Sequence, residues 1–102
     1  MRRALLLLAG FIASFGAAPA QAASDDAWRE FRASVRKSCE AAVAGRLDRA
    51  TIEVDPFGSE TYGVALAKGV SRDAKAPRVI VCIYDKRSKR AEASGEFAPG
   101  SQ

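Results

Sequence analysis

The side chains able to do chemistry are few in this 102-residue chain, and their spacing decides most of what they can do. There is no histidine, which removes the commonest general base at neutral pH and the commonest ligand of transition metals. Cys39 and Cys82 stand 43 positions apart. A redox-active pair needs a close spacing such as C-x-x-C, so the two read as a structural disulfide. Once joined, they leave neither a thiolate nucleophile nor a soft metal ligand, and no metal and no cofactor are expected. The letters S-x-x-K occur at Ser34-Val35-Arg36-Lys37, but without the companion motifs that give the pattern a mechanism they read as solvated helix surface. Asp55, Glu60 and Asp85 fall near expected strand ends, where two carboxylates could meet as the acid and base of a glycosidase. So short a chain builds no concave cleft around them, and carboxylates at strand ends commonly shape turns. The reactive inventory therefore points away from an enzyme and toward binding.

For binding, the most distinctive segment is Asp55-Pro56-Phe57-Gly58-Ser59-Glu60-Thr61-Tyr62-Gly63. Phe57 is an aromatic among turn residues, and two roles fit it. It is either an anchor for a partner's pocket, with Ser59, Glu60 and Tyr62 supplying directional hydrogen bonds, or a cap over the end of a sheet. Cationic residues form a second group. Arg29, Arg32 and Arg36 recur at spacings of three and four on one helix face, and Lys86, Arg87, Lys89 and Arg90 crowd one turn. These either hold anionic lipid or glycan or are solvated faces.

The elements that must position these residues follow an expected export signal. Arg2 and Arg3, the apolar run Ala4 to Ala18 and the small-residue site Ala20-Gln21-Ala22 have the order of a cleavable secretory signal over residues 1–22. The run is shorter than the ~20 residues of a membrane span. No cysteine follows it closely as a lipid attachment site. The expectation is a periplasmic or secreted protein without a transmembrane anchor, in an oxidising compartment that suits the disulfide. Without Arg2 and Arg3 the 16 basic side chains become 14 against 12 acidic ones, a net charge of +2. So mild an excess, with few aromatics, argues against a nucleic-acid partner.

Residues 23–102 have the length of one small domain with a thin core. Asp25 and Asp26 suit a helix start. Trp28, Phe31, Val35, Cys39, Ala42 and Val43 recur at helical spacing, and Gly45 suits a stop. From Thr51 the period becomes two. Ile52 and Val54 mark a first strand; Tyr62, Val64 and Leu66, alternating with Gly63, Ala65 and Ala67, mark a second. The small face of the second should lie close under the helix or a neighbouring strand. Arg78 to Tyr84 is apolar on both faces and reads as the central strand, with Ser71 to Pro77 a loop before it. Arg90 to Phe97 forms the fourth, with Ala91, Ala93, Gly95 and Phe97 sharing a face, and Ala98 to Gln102 is a loose tail. The expected fold class is α+β: one N-terminal helix packed on a four-stranded, mainly antiparallel sheet, stapled to the central strand by a single disulfide.

Ser59-x-x-Tyr62-Gly63 followed by Lys68-Gly69, in a short exported chain with one disulfide, resembles the small periplasmic lysozyme inhibitors of Gram-negative bacteria, with Glu60 where that family has glycine. The resemblance covers Ser59 to Gly69. It implies a loop that enters the cleft of a peptidoglycan hydrolase, with Ser59 and Tyr62 as loop contacts and Lys68 as a supporting one. The expected function is thus a non-catalytic periplasmic binding or inhibitor module acting through the loop 56–62. The alternative is an envelope-surface protein that holds anionic lipid or glycan through Arg29, Arg32, Arg36, Lys86 and Arg87.

Overall fold

The structure, a computed structural model, describes residues 24–100. The expected export signal at 1–22 and the end of the expected tail at 101–102 lie outside the described residues. The described residues form one helix, α1 (Asp25–Val43), and then four strands: β1 (Leu47–Val54), β2 (Tyr62–Ser71), β3 (Pro77–Asp85) and β4 (Ala91–Phe97). The strands pair in chain order as an antiparallel meander, so β2 and β3 share the centre and β1 and β4 are the edges. This is the expected α+β arrangement.

Ser24 is the N-cap of α1, its hydroxyl accepting from the Ala27 N–H at 3.0 Å. Asp25 and Asp26 occupy the first turn, where negative charge meets the positive end of the helix dipole. Phe31, Val35, Cys39 and Val43 follow one another at four-residue steps along the face that packs on the sheet. Opposite them on the sheet stand Leu47, Ile52, Ala65, Ala67, Ile80, Cys82 and Tyr84, which complete the core. The two layers approach closely along β2 because its inward face is Gly63-Ala65-Ala67. A methyl group on Gly63 would lie 2.7 Å from Val35 Cγ2 and 3.0 Å from the Phe31 ring. Where the helix crosses β3, the Cys39–Cys82 disulfide joins backbones 5.8 Å apart at Cα.

Two bulges separate the structure from simple alternation. In β1 the register shifts between Asp48 and Thr51, with Arg49 at φ 55°. Leu47 and Ile52, five residues apart, therefore both face the core. The strand begins at Leu47 rather than near Thr51 because this extra residue hides the period-two signal. Gly69 sits against the bulge, where a Cβ would lie 2.8 Å from the Asp48 carbonyl oxygen. In β4 the shift opposes Ile80 and Cys82, and Ser94 Oγ accepts the Val81 N–H at 2.9 Å. The consequence corrects one expectation: Ala91 and Ala93 pack toward the core, but Phe97 pairs with Val79 on the opposite face and is 55% exposed. The β2–β3 turn is also tighter than the expected loop Ser71 to Pro77. Ser71 ends β2, fully buried, its hydroxyl accepting from the Ala74 N–H at 2.9 Å, and Pro77 already opens β3.

Replacing both cysteines with alanine should lower the unfolding free energy in urea by about 4 kcal/mol, the loop-closure value for a loop of this length. Gly63→Ala should cost about 1–3 kcal/mol through overpacking against Val35 and Phe31. A Gly63→Ala variant as stable as the parent would show that the helix can rise off the sheet.

Candidate functional site

The loop between β1 and β2 lies at one end of the sheet and is held from several sides. The Asp55 N–H donates to the Val64 carbonyl at 2.9 Å, extending the β1–β2 ladder by one bond. Gly58 then takes φ 70°, with the Tyr62 carbonyl where a Cβ would project. Ser59 closes the return: its N–H donates to the Tyr62 carbonyl at 2.7 Å, and its hydroxyl accepts the Tyr62 N–H at 2.9 Å. Ser59 is thus largely used inside the loop.

Side chains from outside the loop grip its carbonyls. Lys86 Nζ donates to the carbonyls of Phe57 and Ser59 at 3.0 and 2.6 Å, and the Lys86 N–H donates to Thr61 at 3.1 Å. From α1, Arg32 donates to the Pro56 carbonyl at 3.2 Å and Arg36 to the Ile52 carbonyl at 2.7 Å. Aromatic rings complete the support. Phe57 meets Trp28 edge-on with centroids 4.9 Å apart, Trp28 meets Phe31 at 5.6 Å, and Phe31 meets Tyr84 at 6.1 Å. The Lys86 ammonium lies 5.4 Å from the Trp28 ring centre and 5.0 Å from that of Phe31, within cation–π range.

Lys86 is placed by the turn that follows β3. The Asp85 carboxylate accepts the Arg87 and Ser88 N–H groups at 2.8 and 2.9 Å, while Lys89 adopts φ 63° and donates its N–H to the Asp85 carbonyl at 2.7 Å. The Ser88 and Arg87 amides hold the Asp85 carboxyl below the ordinary aspartate range. This carboxylate is a turn former. Beside the turn, Ala27, Glu30, Phe31, Ser34, Tyr84, Lys86 and Lys89 line a depression of about 210 Å³, smaller than an ordinary small-molecule pocket.

Comparison with known protein families, with curated proteins and with solved structures gives no match for this chain.

Of the residues singled out in the sequence, Phe57, Ser59, Glu60 and Tyr62 come together in the one loop. Phe57 keeps 55% and Tyr62 42% of its surface exposed, and Glu60 is exposed. Lys68 stands six residues further along β2 than Tyr62, about 20 Å at strand spacing, and pairs with Glu53 at 3.3 Å. The arginines of the helix do not form one free basic surface: Arg29 pairs with Asp26 at 2.7 Å, while Arg32 and Arg36 hold carbonyls of the loop and β1. The Arg87 side chain is exposed. Sequence reasoning grouped Lys86 with surface cations and missed its grip on the loop 29 residues away, and it missed the contact of Trp28 with Phe57. Nothing in the local pattern of either residue signals such a contact. Among the described residues no group of three or more histidine, cysteine or acidic side chains is placed to hold a metal ion, and no helix is long and apolar enough to cross a membrane.

Lys86→Met should lower stability by about 1 kcal/mol, since its hydrogen bonds are exposed, and should speed amide exchange at Ser59 and Tyr62 while leaving β3 protected. In a carboxyl NMR titration Asp85 should ionise below the ordinary aspartate pKa. Because its folded value is depressed, the stability it adds is complete above the ordinary aspartate pKa and disappears as pH falls through the lower folded value. Asp85→Asn should remove that acid-side dependence.

Proposed function

We infer that this chain is an exported, non-catalytic binding module whose working tip is the loop 56–62. The observation that supports this most is the combination of a clamped backbone and an uncovered ring. Lys86, Arg32 and Trp28 fix the loop from three sides, yet more than half of the Phe57 surface faces solvent. A ring serving only to cap the sheet would be buried by those supports. A held apolar protrusion instead suits insertion into a partner's pocket, since its ordering cost is met before binding. Tyr62 ends the same loop with 42% of its surface exposed, and Glu60 adds an exposed charge.

A peptidoglycan hydrolase of the bacterial envelope is the partner that the Ser59-to-Gly69 resemblance suggests, with periplasmic or secreted localisation following from the signal-like residues 1–22. The mechanism is steric: the tip fills the substrate cleft and excludes the glycan strand. The Lys68 position, away from the tip, leaves Phe57, Glu60 and Tyr62 as the principal contacts of this reading. The anion-holding alternative has less to support it, because Arg32, Arg36 and Lys86 are engaged with carbonyl groups.

The disulfide-intact protein should protect purified peptidoglycan from at least one hydrolase of a lysozyme-type panel. Phe57→Ala and Tyr62→Ala should each weaken that protection by about 2 kcal/mol, close to thirtyfold. Equal protection by the double variant would reject the tip, and absence of protection against every hydrolase would reject the partner class.

A further inference from the structure

The helix covers one face of the sheet, and among the described residues no element covers the other. Register and alternation place Val64, Leu66, Val79, Val81, Ile83 and Phe97 on that outer face. All six are at least partly exposed, Ile83 at 44% and Phe97 at 55%. A two-layer α+β protein of this size has no folding reason to leave so continuous an apolar strip in water. The β4 bulge sharpens the point, since without it Phe97 would point toward the helix.

The charges around the strip are segregated along the strand direction. At the loop end, on the β1 side, a depression of about 450 Å³ carries Glu53 and Asp55 against Val64 and Leu66. At the opposite end, a depression of about 520 Å³ carries Arg49, Lys68 and Arg78 around Val70 and Val79. The Glu53–Lys68 ion pair joins the two regions, but both side chains are more than half exposed and remain available. An apolar strip with an acidic end and a basic end is self-complementary under one operation: a two-fold axis in the plane of contact, running across the strands. That axis keeps β1 over β1 but reverses strand direction, so each acidic depression meets the other copy's basic one. The face measures roughly 19 Å by 27 Å at standard strand spacings. Two copies then bury on the order of 1,000 Å², the scale at which specific interfaces begin.

We propose that a second copy of this chain covers the outer sheet face, giving a two-fold symmetric dimer with the two sheets packed face to face and the helices outside. The strands of the two copies run antiparallel within the aligned class of sheet packing. The loops 56–62 emerge at opposite ends of the contact, with Tyr62 at its edge on the same face as Val64, so the dimer carries two separated tips. The inference uses no feature of the tip and stands or falls independently of what the tip binds.

Sedimentation velocity over a hundredfold concentration range tests it. The parent chain should sediment as a dimer that dissociates on dilution. Ile83→Asp should raise the dissociation constant about a hundredfold, because the two-fold axis introduces each substitution twice. Charge inversion tests the orientation: Arg49→Glu with Lys68→Glu makes both ends acidic, and Glu53→Lys with Asp55→Lys makes both ends basic. Each inverted protein should be monomeric alone, and an equimolar mixture should form the heterodimer. Circular dichroism of each variant, expected to match the parent because every substituted side chain is exposed, separates lost association from lost fold. A parent chain that stays monomeric throughout overturns the proposal, including the case in which its face binds a different acidic or apolar partner. Inverted variants that dimerise as well as the parent overturn the arrangement of the two copies.

Discussion

The close contact between α1 and the sheet is the constraint on which the rest of the molecule depends. Gly63, Ala65 and Ala67 keep the inner face of β2 low, so the helix settles against it until Val35 and Phe31 touch the strand. At that depth Cys39 and Cys82 come within bonding reach, and the disulfide fixes the crossing point. In so small a domain the buried core is thin, and a crosslink worth about 4 kcal/mol is a large fraction of the 5–15 kcal/mol that typically separates folded from unfolded states. The same contact carries the N-terminal turns of α1 over the end of the sheet. There Trp28 and Phe31 form the aromatic shelf on which Phe57 and Lys86 rest.

Basic side chains do structural work at that end of the molecule. Lys86, Arg32 and Arg36 each donate to main-chain carbonyls that have no strand partner. Individually the exposed bonds of Lys86 and Arg32 contribute little, but together they determine where the loop lies, while the part-buried Arg36 bond holds α1 to β1. The turn 85–90 joins the same network, because the Asp85 carboxylate orders the amides that bring Lys86 under the loop. A surface rich in lysine and arginine is therefore less open to anions here than its composition implies.

The two exposed apolar features sit on different parts of the fold and differ in character. Phe57 is a single ring on a clamped loop, suited to a pocket; the outer sheet face presents a strip of apolar side chains from three strands. Phe57 leans on the helix side through Trp28, and Tyr62 is the residue of the loop that borders the outer face. The bulge in β4 links sequence to this division of surface. One extra residue turns Phe97 away from the core and onto the outer face, with Ser94 satisfying the Val81 amide that the bulge leaves over.

Periodicity by itself determined the α+β class, the helix and the four strands, because each element carries its own repeat of apolar residues at 3.6 or 2. Composition marked the two widely spaced cysteines, Cys39 and Cys82, as a pair, and turn residues picked out the loop 56–62. Periodicity did not determine the start of β1 or the face of Phe97, since a bulge breaks the period on which such a reading rests. Nor did it show which cations are engaged. Lys86 and Arg36 look like surface charges in the linear chain, and only the packing of the 85–90 turn and α1 against β1 brings them to carbonyls 16 to 29 residues away. Local patterns encode local conformation through short-range sterics and hydropathy, whereas long side chains find partners only after the backbone has been placed. Tertiary structure alone therefore decided that the loop is held while its aromatic ring stays uncovered.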